Sequence, residues 1–183
     1  MTCKTDIDKY LNIINIMSVD IKKANNDKVS IDLVKKQIIN YPAYGTIYAN
    51  LIIPSIDLYY PVYHGDDLDI MMKGIGHYAG SFFPGENGSI LLAAHNNVHF
   101  QRLYDVKLND KIILETIYGT FTYEPYDFKV IDATDEDALP INQGEEILMM
   151  YTCYPRTAVG YASKRYVVYS KLVEANYEKV KSN

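Results

Sequence analysis

The chain has 183 residues, 48% of them hydrophobic, and a formal net charge of -5 at pH 7. This length and apolar content predict one globular domain large enough to bury a substantial core. An acidic chain offers no basic surface for phosphate groups, so we expect no nucleic-acid partner. The sequence has neither a signal peptide nor an apolar run of about 18 residues, which predicts a soluble protein unless a membrane anchor lies upstream of Met1.

The first part of the chain has the apolar spacing of helices. Ile7, Leu11 and Ile14 recur at roughly helical intervals with charged residues between them, so one stripe of a helix can face a core. Ser30 can cap a second, shorter helix. The predicted parts of the chain are a helical segment at 1–42, a β domain at 43–176 and a tail at 177–183.

Short runs rich in Ile, Val, Tyr and Thr begin near Tyr44 and are separated by Gly, Pro, Asn and Asp, a pattern typical of strands. Eighteen tyrosines and no tryptophan also favour a β-rich fold, because tyrosine packs on a pleated face while its hydroxyl stays hydrated. The predicted strands cover residues 45–53, 58–63, 89–95, 111–117, 120–131, 145–152 and 165–173, and short helical turns cover 67–73 and 98–106. Seven or eight strands with no long helix between them predict a mainly β fold, a closed or nearly closed barrel.

Polar residues at the ends of three predicted strands form a candidate active site. His95 ends the third predicted strand, Cys153 lies at the rim of the sixth, and Arg165 opens the seventh. A thiol becomes an effective nucleophile when a base and a cation lie beside it, so this arrangement predicts nucleophilic catalysis by Cys153. Taken alone, a cysteine on an apolar strand is more often buried and inert. The other cysteine, Cys3, lies in a terminal segment, so we predict two free thiols.

Three other histidines and a second arginine compete for these roles. His64 and His77 lie in loop-like segments, where the expected role is surface or loop hydrogen bonding. His99 follows His95 by four residues, a spacing that binds zinc on a helix. Because His95 ends a strand and no cysteine or carboxylate cluster joins the pair, we expect no metal site. Arg156 lies in the loop after the cysteine strand, where a solvated charge is expected.

Several segments together resemble one known family. The residues that carry the resemblance are 51–58 (LIIPSIDL) with Pro61-Val62, 73–78 (KGIGHY), Ser81, 84–88 (PGENG), Ala94-His95 with Phe100 and Leu103, and Thr152-Cys153 with Arg165. Over roughly residues 45–173 the chain resembles the sortases, cysteine transpeptidases that attach proteins to the cell wall of Gram-positive bacteria. The resemblance implies a closed eight-stranded barrel.

The resemblance also implies the roles of the candidate residues. Cys153 would be the nucleophile, His95 the acid and base, and Arg165 the group that holds the oxyanion or the substrate backbone. The substrate would be an LPxTG-like sorting signal of a secreted surface protein, cleaved between Thr and Gly, and the acceptor an amine of a peptidoglycan precursor. The expected location is the extracellular face of the cell membrane of a Gram-positive bacterium, reached through an upstream anchor.

The long loop at 132–144 corresponds in order to the loop that cradles the sorting peptide in sortases. Its apolar residues Ala138, Leu139 and Ile141, together with Thr152 on the cysteine strand, are the predicted substrate-binding residues. The carboxylates of this loop have the oxygen ligands that Ca²⁺ prefers, but a solvated loop is at least as good an interpretation, so no cofactor is expected.

The cysteine motif departs from the family pattern. Sortases usually have Thr-Leu-x-Thr-Cys, whereas residues 149–153 read Met-Met-Tyr-Thr-Cys. Methionine keeps the strand apolar, so the change affects class assignment more than the reaction. The helical N-terminal segment and the chain's size favour class D, ahead of class B.

Two further functions stay open. A hydrolytic cysteine protease would use the same thiol, although the order His then Cys excludes the papain arrangement and the Gly-x-Cys-Gly context of chymotrypsin-like enzymes is absent. A non-catalytic β-barrel surface module would instead leave Cys153 buried and inert.

Overall fold

The computed structural model describes residues 41–158 and 160–177, and nearly half of them belong to eight strands. The strands are β1 (Ile47–Ile53), β2 (Leu58–His64), β3 (Ile75–His77), β4 (Ser89–Ala93), β5 (Ile112–Thr116), β6 (Gly119–Asp132), β7 (Ile147–Tyr154) and β8 (Lys164–Tyr177). The short helix α1 covers Leu68–Met71, and 3-10 helices cover Pro54–Ile56, Leu103–Asp105 and Glu136–Ala138. Helices predicted within 1–42 lie almost entirely outside the described residues, as does most of the predicted tail. The predicted domain limits stay predictions.

The strands close into a barrel in the order β1-β2-β3-β4-β7-β8-β6-β5, with β5 returning to β1. The mainly β fold and the closed eight-stranded barrel are therefore confirmed. Two pairs, β2 with β3 and β4 with β7, are parallel, and the others are antiparallel. Because β4 and β7 are parallel, the residues that follow them emerge at the same end of the barrel.

Strand β3 is the one strand that the sequence patterns did not predict. It has three residues, too few for a period-2 pattern, and its centre is Gly76. A Cβ atom on Gly76 would lie 2.8 Å from the Asp66 Cα and 2.9 Å from the Gly65 carbonyl oxygen. Glycine is therefore required here by a close backbone approach rather than by turn conformation.

Two layers of apolar side chains stabilise the barrel. Inside it, alternate residues of the strands are fully buried, among them Leu51, Ile53, Leu92, Leu114, Phe121, Leu148, Met150 and Val168. A second cluster lies on the other face of the sheet and consists of Leu91, Ile131, Met149, Val167 and Tyr169, with residues 138, 139, 141, 147 and 151 packed against it. Since β4, β7 and the first half of β8 bury both faces, their sequences read as continuous apolar runs instead of alternating ones.

A buried carboxylate anchors the end of the β6–β7 loop. Glu146 accepts hydrogen bonds from the Gly85 amide at 3.0 and 3.1 Å and from the Asn87 amide at 3.2 Å. The Tyr123 hydroxyl donates to the same carboxylate at 2.7 Å from inside the barrel. The loop that leads into β7 is thereby fixed to the turn before β4.

No helix within the described residues is both long and apolar enough to cross a membrane.

Candidate active site

Cys153 and Arg165 are direct partners across the antiparallel pair β7 and β8. Residues opposite each other in such a ladder project to the same side of the sheet, so the thiol and the guanidinium share one face. That face is the outer one, because Met149, Val167 and Tyr169 of the outer apolar cluster alternate with the barrel-facing residues of the same strands. Cys153 is half-buried and its thiol is free.

His95 comes two residues after the end of β4. Ala93 of β4 is paired with Tyr151 of β7, and the Ala94 amide donates to the Tyr151 carbonyl at 3.4 Å. Because this register is parallel, both chain segments leave their strands at the same end of the barrel, and His95 and Cys153 lie at equivalent positions there. The imidazole, like the thiol, is half-buried.

One cavity of about 380 Å³ contains all three predicted catalytic residues in its lining. The walls also include apolar groups from α1, β6 and the β6–β7 loop, among them Met71, Ile131 and Leu139. Such a mixture, an apolar pocket with a few convergent polar groups, is typical of small-ligand and peptide sites. The structure therefore brings together a thiol, an imidazole and a guanidinium that are distant in the sequence.

The guanidinium of Arg165 is held by the loop that precedes β8. Its Nη1 donates to the Ala162 carbonyl at 2.8 Å and to the Lys164 carbonyl at 3.0 Å. The competing Arg156 lies elsewhere: its two terminal nitrogens each donate to an Asp105 carboxylate oxygen at 3.1 Å. Arg156 is absent from the cavity lining, and its ion pair with Asp105 neutralises its charge.

Two hydroxyl groups hold the cysteine strand from the side opposite the thiol. Thr152 is only 1% exposed, and its hydroxyl donates to the Ala94 carbonyl at 2.7 Å. The Tyr104 hydroxyl donates to the main-chain carbonyl of Cys153, while the Tyr104 ring stacks on Tyr166 at 4.9 Å. Burial is the main cause that raises the pKa of Tyr104 to about 12, and the nearby Cys153 is a smaller one. The Tyr104 hydroxyl therefore stays protonated, and able to donate, at all physiological pH values.

The predicted substrate-binding residues differ in their placement. Leu139 and Thr152 line the cavity, whereas Ala138 and Ile141 pack on the adjoining outer cluster. The loop that carries them contains a 3-10 helix whose first turn is capped by the Asp135 side chain. The Tyr169 hydroxyl donates to the Ala138 carbonyl at 2.7 Å and so fastens this loop to β8.

Other cavity residues were not singled out from the sequence. Leu68 and Met71 come from α1, Tyr151 lies two residues before the cysteine, and Tyr161, 85% exposed, comes from the β7–β8 loop. Tyr151 could have been found from the period-2 rule, which places it on the same face as Cys153. The α1 and loop residues carry no comparable signal, because their approach depends on tertiary structure.

The remaining histidines lie outside the cavity lining. His77 is fully buried, and its Nε2 lies 2.7 Å from the Ser81 hydroxyl. Burial is the main cause that lowers the pKa of His77 to about 3, and the nearby His64 is the second. His99 is also buried and packs edge-on against Tyr60 at 4.7 Å, and burial lowers its pKa. Within residues 41–158 and 160–177, no three His, Cys, Asp or Glu residues are grouped as metal ligands would be.

Comparison with known proteins identifies the family. The family model described as the sortase domain matches residues 51–173. Sortase D of Bacillus subtilis (strain 168) is 37% identical over 152 residues, which cover 83% of this chain and 77% of that protein. This chain belongs to the sortase family. The resemblance to sortases, and in particular to class D, is thereby confirmed, and the sortase family is one of transpeptidase enzymes.

Solved sortase structures agree with this assignment. A Clostridium perfringens sortase D5 transpeptidase is 28% identical, with a TM-score of 0.68 over 84% of this chain and 92% of that chain. The catalytic domain of B. anthracis SrtD is 29% identical, with a TM-score of 0.65 over 76% and 96%. Listeria monocytogenes sortase A, at 21% identity, has a TM-score of 0.64 over 74% and 92% and shares the fold.

Proposed function

We propose that this sortase is a cysteine transpeptidase in which Cys153 is the nucleophile, His95 the acid and base, and Arg165 the oxyanion-binding group. The observation that carries the proposal is the pairing of Cys153 with Arg165 on one face, beside the end of the parallel strand that leads to His95. Their presence in one cavity lining supports a shared role. The proposed substrate is an LPxTG-like sorting signal cleaved between Thr and Gly.

The proposed reaction has two acyl-transfer steps. The Cys153 thiolate attacks the threonine carbonyl, and the Arg165 guanidinium donates hydrogen bonds to the oxyanion that develops. His95 then gives a proton to the leaving amine, so that the C–N bond breaks and a thioester on Cys153 remains. An amine of a peptidoglycan precursor then attacks the thioester and gives up a proton to His95. The C–S bond breaks, a new amide forms, and Cys153 leaves as the thiolate with which the cycle began.

The cavity surface is suited to an extended apolar peptide. Leu139 would contact the peptide directly, while Ala138 and Ile141 would support that wall from the outer cluster. Thr152 also lines the cavity, although its hydroxyl is already bonded to Ala94, so its proposed substrate contact comes from the rest of the residue. Arg165, a fixed positive charge, can also bind the carbonyl groups of the peptide backbone.

The proposed partners determine the proposed location. Sorting signals of secreted surface proteins and peptidoglycan precursors meet at the extracellular face of the membrane of a Gram-positive bacterium, so we propose that the enzyme acts there, held by an anchor upstream. We propose no cofactor and no nucleic-acid partner, because the thiolate, the imidazole and the guanidinium supply all the groups that the two steps require.

The test combines a sorting peptide with a primary amine. The wild-type protein is expected to convert the peptide into an amide with the amine, and Cys153→Ala to form no product. Hydrolysis that ignores the added amine would instead identify a cysteine protease. Full turnover by Cys153→Ala would overturn the assignment. A non-catalytic module would give a different result. The wild-type protein would show no turnover, and its Cys153 would react with a thiol reagent at the same rate as Cys153 of His95→Ala.

A further inference from the structure

Asn96, the residue after His95, is buried against the loop that follows the cysteine strand. It is 6% exposed, and its side-chain nitrogen lies within hydrogen-bond distance of three main-chain carbonyls. The distances from Nδ2 are 3.1 Å to the Arg156 oxygen, 3.2 Å to the Ala158 oxygen and 3.4 Å to the Pro155 oxygen. One amide group therefore caps a whole turn of the β7–β8 loop.

The chemistry of this turn requires a donor at its centre. Residues 155–158 form a turn closed by the Ala158 amide, which donates to the Pro155 carbonyl at 2.8 Å. The three carbonyl oxygens that converge on Asn96 repel one another unless a donor lies between them. An asparagine side chain has two N–H donors on one nitrogen, which match the two nearer carbonyls, of Arg156 and Ala158. The Pro155 carbonyl, at 3.4 Å, already accepts from the Ala158 amide. An aspartate of the same shape would instead add negative charge.

We propose that Asn96 is a positioning residue for the transpeptidation reaction, because it joins the segment after His95 to the segment after Cys153. This inference rests on the proposed function. The Thr152 hydroxyl already joins β7 to the Ala94 carbonyl, so His95 is held on both sides by side-chain hydrogen bonds to the cysteine strand or its loop. The two links together determine where the imidazole lies relative to the thiol.

The same loop also reaches the third residue of the site. Beyond the turn that Asn96 caps, it contributes Gly160, Tyr161 and Ala162 to the cavity lining. The Ala162 carbonyl accepts the hydrogen bond from Arg165 at 2.8 Å. A loop released from Asn96 would therefore change the position of Arg165 as well as the His95–Cys153 geometry, and displacements of this kind cost large factors in rate.

The experiment compares Asn96→Ala with its neighbour Asn97→Ala. Asn97 is exposed, so it provides a control of the same residue type at the adjacent position. With a sorting peptide and a primary amine, kcat of Asn96→Ala is expected to fall roughly tenfold to a hundredfold, and kcat of Asn97→Ala to stay within about twofold. Asn96→Asp, which keeps the shape and removes the donor, is expected to lose activity as Asn96→Ala does. The KM of the peptide is expected to change less than kcat, because Leu139, the proposed direct peptide contact, belongs to the β6–β7 loop and not to the loop that Asn96 caps.

Two further measurements separate positioning from folding. Alkylation of Cys153, followed by mass spectrometry of its peptide, is expected to be slower in Asn96→Ala than in Asn97→Ala at a temperature where both are folded. In the wild-type protein, the side-chain amide protons of Asn96 are expected to exchange with solvent far more slowly than those of Asn97, a result that needs no variant. Equal exchange rates at the two positions would overturn the proposed contacts.

The outcomes also distinguish this inference from the proposed function. If Cys153→Ala is inactive while folded Asn96→Ala retains the wild-type kcat, the positioning role is wrong and the proposed function stands. If Cys153→Ala is active, the proposed function itself is wrong, whatever Asn96→Ala does.

Discussion

The Thr152 hydroxyl and the Ala94 carbonyl are joined by a buried hydrogen bond of 2.7 Å, which links the residue before Cys153 to the residue before His95. The two residues lie 58 positions apart in the sequence and meet because β4 and β7 run parallel. Their bond ties the two segments that carry the proposed nucleophile and the proposed base.

Replacement of this hydroxyl tests whether the link matters for the reaction. Thr152→Val keeps the shape but removes the donor, leaving the buried Ala94 carbonyl without this partner. We expect a loss of about 1–3 kcal/mol in the free energy of unfolding and a decrease of about tenfold in kcat. Thr120→Val, at a half-buried position of β6, is the control. Equal kcat values for the two variants would contradict the expectation.

The two arginines near the cysteine provide a matched pair. Arg165→Ala is expected to lower kcat/KM about a hundredfold or more, because it removes the proposed oxyanion donor. Arg156→Ala breaks an ion pair with Asp105 in which both side chains are substantially exposed, so activity should stay within about threefold and the free energy of unfolding within about 1 kcal/mol. Peptide cleavage assays and thermal unfolding measure both. The reverse order of effects would transfer the proposed role to Arg156.

Adjacent glutamates are expected to differ sharply in their effect on stability. Glu146→Ala leaves the amides of Gly85 and Asn87 and the Tyr123 hydroxyl without their acceptor, so we expect a loss of about 3 kcal/mol or more in the free energy of unfolding. Glu145→Ala, at an exposed position, should change it by less than about 0.5 kcal/mol. Urea denaturation of both variants measures the difference, and similar midpoints would contradict the structural role of Glu146.

His77 makes the stability of the barrel depend on pH. In the folded protein its pKa is about 3, against an ordinary value of 6.5, because burial disfavours the charged imidazolium. Below pH 6.5 the unfolded chain therefore binds a proton on this histidine, whereas the folded chain does not. The stability that comes from the neutral, buried His77 is fully present above pH 6.5 and is lost as the pH falls toward 3.

The size of this effect can be measured with one substitution. At about 1.4 kcal/mol per pH unit, His77 should account for a loss of about 2 kcal/mol between pH 7 and pH 5. His77→Gln, which does not titrate, should lose correspondingly less over the same interval. Parallel stability curves for the two proteins would show that His77 takes up its proton in the folded state.

Strand patterns predicted most of the barrel because apolar runs and turn residues are local signals. The predicted limits of β1, β2, β5 and β6 differ from the observed ones by no more than two residues. β8 continues to Tyr177, beyond the predicted end at 173, because its exposed half pairs with β6 and has no apolar pattern. His95 lies two residues past the end of β4, rather than at the last position of the strand as predicted.

Residues that depend on long-range pairing could not be predicted. Glu145 and Glu146 are equivalent by sequence, and only the register of β7 determines which one is buried. Asn96 and Asn97 look alike for the same reason: both read as loop residues, and only the β7–β8 loop distinguishes them. The catalytic candidates had a local signal, since a histidine and an arginine are uncommon next to apolar strands, and the resemblance to sortases favoured a catalytic over a buried, inert Cys153.

Mass spectrometry of the enzyme during turnover tests the central claim most directly. With a sorting peptide and no amine, the protein is expected to gain the mass of the peptide's N-terminal fragment as an acyl group. Peptide mapping should locate that group on Cys153 as a thioester that a primary amine removes. An acyl group on another residue, or rapid cleavage with no modification of Cys153 at any time, would contradict the account.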